Sequence, residues 1–187
     1  MKRFLWALGS MLLISHVPAH AGESHNARVT LPTDVVPRHY DLEIELDHAV
    51  DRFSGTTQIA IDVNRATSDI VLNAVDLEIR QFSVSTSDSR TMLGMQKDAL
   101  IDAARETATL HFPAPLARGR HLLRIQYSGK IHGTTTGLFA FNYETAAGPR
   151  RALFTQFEPA EARRFLPCWD EPSLKADDAL VGRALVE

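Results

Sequence analysis

Apolar and polar positions alternate along most of this chain with a period of two. Tyr40, Leu42, Ile44 and Leu46 are interleaved with Asp41, Glu43 and Glu45, the pattern of a half-buried strand. Asp47 to Arg52 reads as a turn, and Phe53, a break at Gly55, then Ile59, Ile61 and Val63 read as the next strand. Ile70 and Leu72, Leu77 and Ile79, and Phe82 and Val84 continue the alternation up to a polar turn at Ser85 to Arg90. Ala108, Leu110 and Phe112 form a strand that Pro113 and Pro115 should end, and Leu123, Ile125 and Tyr127 share the face of another that Ser128-Gly129 should break. No 3.6-residue period persists before Pro159, where a short helix is expected over 159–164. Short strands at close spacing predict a mostly β fold, an antiparallel β-sandwich or a saddle-shaped curved sheet.

The first residues follow another rule. Lys2 and Arg3 precede an apolar run from Phe4 to Val17, and Ala19-His20-Ala21 is a small-x-small cleavage site, so residues 1–21 read as a signal peptide cut after Ala21. Gly9, Ser10, Ser15 and His16 interrupt a run already short for a membrane span. A periplasmic or secreted bacterial protein is expected, with no membrane contact after cleavage. A flexible leader follows over 22–30, and the 166 residues left after cleavage are enough for one domain with a real core, placed at 31–176.

Composition narrows the chemistry. The formal net charge is −3, becoming −5 once Lys2 and Arg3 leave with the signal, and no basic run exceeds a pair, which argues against a nucleic-acid partner. The single cysteine, Cys168, allows no intramolecular disulfide and no thiolate zinc cage. Aromatic residues make up 7% of the chain and fall mostly at inward positions, against a carbohydrate-binding sandwich.

The richest segment is Thr155 to Lys175, TQFEPAEARRFLPCWDEPSLK. Thr155 to Glu158 is extended, which sends Gln156 and Glu158 to one side and Phe157 to the other. Pro159 suits the first position of a helix, with Arg163 and Arg164 towards its end. On chemistry alone, Glu158 pairs with Arg163 or Arg164, only prepares the following helix, or offers a carboxylate to a substrate ammonium group. Asp170-Glu171-Pro172 reads as a hydrogen-bonded turn whose acids meet those arginines. Cys168 reads as a small buried packing residue.

This segment resembles the block that ends the N-terminal domain of the aminopeptidase N family of zinc aminopeptidases (gluzincins). Pro37-x-x-Tyr40-x-Leu42, Phe53-x-Gly55, Ile70-Val71-Leu72-Asn73 with Asp76-Leu77, Tyr127-Ser128-Gly129-Lys130-Ile131 and Gly137-Leu138-Phe139 are similar to the family's other landmarks, in order. The resemblance implies that Glu158 binds the free N-terminus of a peptide substrate and that Gln156 lines the first specificity pocket. Removal of N-terminal residues requires recognition of an α-ammonium group, for which a carboxylate supplies both acceptor and opposite charge.

The resemblance also implies a catalytic zinc on a helical His-Glu-x-x-His. None of the eight histidines is followed by Glu, and the Gly-x-Met-Glu-Asn motif is missing. No catalytic residue, metal ligand or cofactor is therefore expected in these 187 residues, and they should be inactive alone. Residues 177–187 read as a divergent tail, because Asp177-Asp178 stands where the family begins another strand; a final strand is expected to be lost and a sheet edge left bare. A non-catalytic periplasmic module that binds peptides or another partner is the alternative.

Overall fold

The computed structural model of the protein describes residues 30–47 and 51–183. The expected signal peptide and nearly all of the expected leader lie outside them. Eleven strands run in the order β1 (Val35–Asp47), β2 (Arg52–Val63), β3 (Thr67–Asn73), β4 (Glu78–Thr86), β5 (Met92–Gln96), β6 (Leu100–Asp102), β7 (Thr107–Leu116), β8 (Gly119–Lys130), β9 (Gly137–Thr145), β10 (Gly148–Gln156) and β11 (Asp177–Arg183). Six form one sheet in the order β11-β1-β2-β8-β4-β5, three form a second, β3-β7-β6, and β9 and β10 pair as a hairpin. The fold is mostly β and its pairs are antiparallel except β11, which lies parallel to β1.

Alternation buries one side of each sheet. In β2 every second residue, from Phe53 to Val63, is buried. Ile59, Ile61, Val84, Leu123 and Ile125 of the large sheet and Ile70, Leu72, Leu110 and Phe112 of the smaller one belong to the same buried cluster. Phe82 and Phe112 meet edge to face at 5.4 Å, a contact between the two sheets. This is the sandwich that the periodicity predicts.

Two glycines expected to interrupt strands lie inside them. Gly55 pairs with Tyr127, and Phe53 with Gly129. A Cβ at Gly55 would stand 2.4 Å from the Tyr127 ring, and one at Gly129 would stand 2.5 Å from the Phe53 ring. Each ring occupies the space over the glycine opposite, so the strands continue. Pro113 and Pro115 likewise do not end β7. They fall between His111 and Leu116, where the ladder with β3 is irregular and no backbone donor is needed. Pro37 sits at a bulge of β1 against β2, before the pairing with β11 begins at His39.

The tail is the clearest difference. Asp177 to Arg183 forms a strand despite its two leading acids, and Asp177 is exposed, so its carboxylate stays in water. The break in strand pattern expected there is corrected: up to Arg183 the backbone pairs along β1, covering that edge of the sheet. The helix expected over 159–164 shrinks to a single 3-10 turn, Ala162–Arg164, with Glu161 as its N-cap.

Candidate functional site

The site grows from the end of β10. β9 and β10 pair along their whole length, and the last pair is Gly137 with Gln156. Leaving the strand, Phe157 turns its ring onto Phe165 (5.4 Å between centroids), which packs on Phe53 at 5.6 Å, and Phe53 meets Tyr127 at 6.3 Å. This row of rings ties the strand end to the core. The Glu158–Pro159 peptide is cis, and the Glu161 amide donates to the Phe157 carbonyl at 2.8 Å, closing one turn around Glu158.

Gln156 and Glu158 are both exposed, and neither side chain has a hydrogen bond or ion pair among the described residues. Pairing of Glu158 with Arg163 or Arg164 does not occur, because both arginines are engaged elsewhere. Arg163, 14% exposed, donates through Nε to Asp170 at 3.0 Å and through its terminal nitrogens to Glu106 at 2.7 Å and to the Asp170 carbonyl at 3.2 Å. Although burial works against its charge, the hydrogen bonds it donates to Asp170 and Glu106 hold its pKa above the ordinary arginine value. Arg164 donates to Glu161 at 2.6 Å and to Asp76 at 2.5 Å.

Glu161 is the hinge pin of this arrangement. Besides Arg164 it accepts a short hydrogen bond from Thr136, the residue before Gly137. Partial burial opposes ionisation, yet the bonds from Thr136 and Arg164 and the charges of both arginines outweigh it and hold the carboxyl below its ordinary value. Gly137 completes the contact: its φ is +55°, and a Cβ there would lie 2.9 Å from that of Arg164. The start of β9, opposite Gln156, is thus fixed to the turn that follows Glu158.

The remainder of the block is stapled to three other parts of the fold. Asn73 and Cys168 exchange backbone hydrogen bonds at 2.7 and 3.1 Å, and the Asp170 amide donates to the Asn73 side chain at 3.1 Å. The Trp169 amide donates to the Tyr40 hydroxyl at 3.2 Å, and the Leu31 amide to Glu171 at 2.6 Å. Asp170 therefore meets Arg163 as expected, whereas Glu171 holds the start of the domain instead of an arginine. Cys168 is buried, and burial with the nearby Asp170 charge pushes its thiol far above the ordinary range, against a smaller pull from Arg163. It is no nucleophile near neutral pH.

Glu106, Asp76 and Thr136 take part in positioning; Asp76 falls in a landmark of the sequence, but Glu106 and Thr136 carry no mark there. They lie 57, 88 and 25 residues from their partners in the block. The aromatic pattern also needs correction: Phe141, Tyr143 and Phe154 of the hairpin are 43–58% exposed, stacked as Phe139–Phe154 and Phe141–Tyr143. A concavity of about 1160 Å³, open to solvent, is bordered by Phe157, Pro159, Trp169 and Leu174 but not by Gln156 or Glu158. Among the described residues no group of three or more His, Cys, Asp or Glu could hold a metal ion, and no helix is long and apolar enough to cross a membrane. The described residues therefore do not fit a catalytic zinc.

Comparison with known proteins agrees with this geometry. Residues 36–180 match the Peptidase M1 N-terminal domain. The chain is 40% identical over 147 residues to aminopeptidase N of Acetobacter pasteurianus, covering 78% of this chain and 39% of that protein. It is 37% identical over 148 residues to aminopeptidase M1 of Arabidopsis thaliana, covering 78% and 17%. It is 34% identical over 151 residues to the human endoplasmic reticulum aminopeptidase 1, covering 80% and 16%. The chain thus spans well under half the length of these relatives. By its fold, by the segment that ends at Lys175 and by the extent of the match, the protein belongs to the peptidase M1 family through that family's N-terminal domain.

Proposed function

We propose that this chain is the substrate-anchoring N-terminal domain of a zinc aminopeptidase and that Glu158 and Gln156 receive the free N-terminus of a peptide. The observation that carries the reading is an exposed carboxylate with no partner among the described residues, two positions beyond the end of β10, while Arg163 and Arg164 are both engaged by other acids. An ionised acid so placed is available for a cation from outside, and a substrate α-ammonium group can donate to it directly. Gln156 has an unoccupied amide to accept from the same ammonium group or to donate to a substrate carbonyl.

Zinc chemistry, water activation and stabilisation of the tetrahedral intermediate belong to residues these 187 positions do not contain. The role of this domain is to bind and orient, so that the first peptide bond is presented in one register. The reading of residues 1–21 as a signal peptide supports export, with a periplasmic or secreted setting.

The test has two arms. Purified protein incubated with aminoacyl-anilides and added zinc is expected to release no amino acid above the buffer rate. In an NMR titration, a tripeptide amide with a free N-terminus is expected to shift the resonances of Gln156 and Glu158, and its acetylated counterpart to leave them unmoved. Zinc-dependent turnover by the chain itself, or equal shifts with both peptides, overturns the proposal.

A further inference from the structure

Gln156 and Glu158 stand on a stretch of backbone that is fastened at both ends. Upstream, Gln156 pairs with Gly137, the last rung of the β9–β10 ladder. Downstream, the Glu161 amide donates to the Phe157 carbonyl at 2.8 Å, and the Arg164 amide to the Glu161 carbonyl at 3.1 Å. The Phe157 ring stacks on Phe165, a few residues further along the same segment. Each of these contacts stays inside the hairpin or inside the segment that follows it. None of them joins the two.

The Thr136 hydroxyl does. It donates to the Glu161 carboxylate, and Thr136 is the residue before Gly137. A ring therefore closes: along the chain from Gln156 to Glu161, across to Thr136, on to Gly137, and back through the ladder to Gln156. Glu158 lies midway along its chain portion. Arg164 cannot substitute for this link, because it reaches Glu161 from three residues away in the same turn, and its other partner, Asp76, precedes β4. Thr136 is half-buried, and its amide donates to the Thr134 carbonyl at 2.7 Å, which sets the hydroxyl in place. A binding group held in this way spares its ligand the cost of ordering it.

We propose that Thr136 is a positioning residue for peptide binding: through Glu161, its hydroxyl locks the backbone that carries Gln156 and Glu158 against the start of β9. The inference rests on the reading of Glu158 and Gln156 as the receptor of a free N-terminus, and adds to it a residue that acts through another.

Thr136→Val keeps the shape and removes the donor; Thr136→Ser keeps the donor. In NMR titrations with a free-amine tripeptide amide, Thr136→Val is expected to bind about threefold to tenfold more weakly than the wild type, and Thr136→Ser within about twofold of it. Backbone heteronuclear NOEs, which read picosecond–nanosecond motion and not global stability, are expected to fall at Gln156 to Glu158 in Thr136→Val and to hold in Thr136→Ser. Denaturant midpoints show that both variants are folded. A wild type that binds the peptide while Thr136→Val binds it equally well overturns the inference and leaves the anchoring role of Glu158 standing. So does an equal loss in Thr136→Ser, or a loss in Thr136→Val with unchanged NOEs. A wild type that does not bind the free amine overturns the anchoring role, and this inference with it.

Discussion

Among the described residues Glu158 has no partner, and the two arginines that follow it in sequence are engaged elsewhere. Arg163 is held between Asp170 and Glu106, and Arg164 between Glu161 and Asp76, so neither is left to neutralise it. Removing Arg163 as Arg163→Met leaves Asp170, 17% exposed, without its main donor. A stability loss on the order of 2 kcal/mol is expected, read from the denaturant midpoint. Glu158→Ala, by contrast, removes an exposed side chain without partners and should change stability by no more than about 0.5 kcal/mol. For Glu161, folding lowers the pKa below the ordinary 4.5. Its contribution is therefore present above the unfolded value and disappears as pH falls through the lower folded one. The stability gap between the wild type and Glu161→Gln should be open at neutral pH and close as the solution is acidified below about 4, in urea titrations at stepped pH.

At the scale of elements, the chain was most legible where one face of a strand is buried. The alternation through Tyr40–Leu46 and Ile59–Val63 appears as β1 and β2 because their inward residues meet the core. β9 and β10 escaped notice except at Thr155–Glu158. Beyond Gly137 and Leu138 their residues are half-buried or exposed, so no period is imposed on their sequence. β5 and β6 escaped for the same reason, being edge strands with little buried side chain. Gly55 and Gly129 misled because glycine reads as a breaker, whereas here each makes room for an aromatic ring across the strand pair. Gly55→Ala is accordingly expected to cost about 1–3 kcal/mol through the collision with Tyr127, and thermal unfolding would measure it. At the candidate site, Glu158 and Gln156 stand out in the sequence through the surrounding motif and Asp76 through the Asp76-Leu77 landmark, whereas Glu106 and Thr136 do not, since only the fold brings them to the block.

Across the whole molecule, both sheets share one buried cluster. The sandwich closes over a continuous core, and the segment from Thr155 to Lys175 fastens β10, Asn73, Tyr40 and Leu31 into one unit. The relatives are far longer than this chain; in the division of labour proposed above, this domain holds the amino end of a peptide and another part of such an enzyme carries the metal. The carboxylate of Glu158 is the centre of that account. The most direct test is an NMR titration of wild type and Glu158→Gln with the same free-amine tripeptide amide at low ionic strength. The account predicts that the neutral variant, keeping shape and losing charge, binds at least about tenfold more weakly, the loss of one charge-assisted hydrogen bond. Equal affinity of the two proteins for the free amine would contradict it.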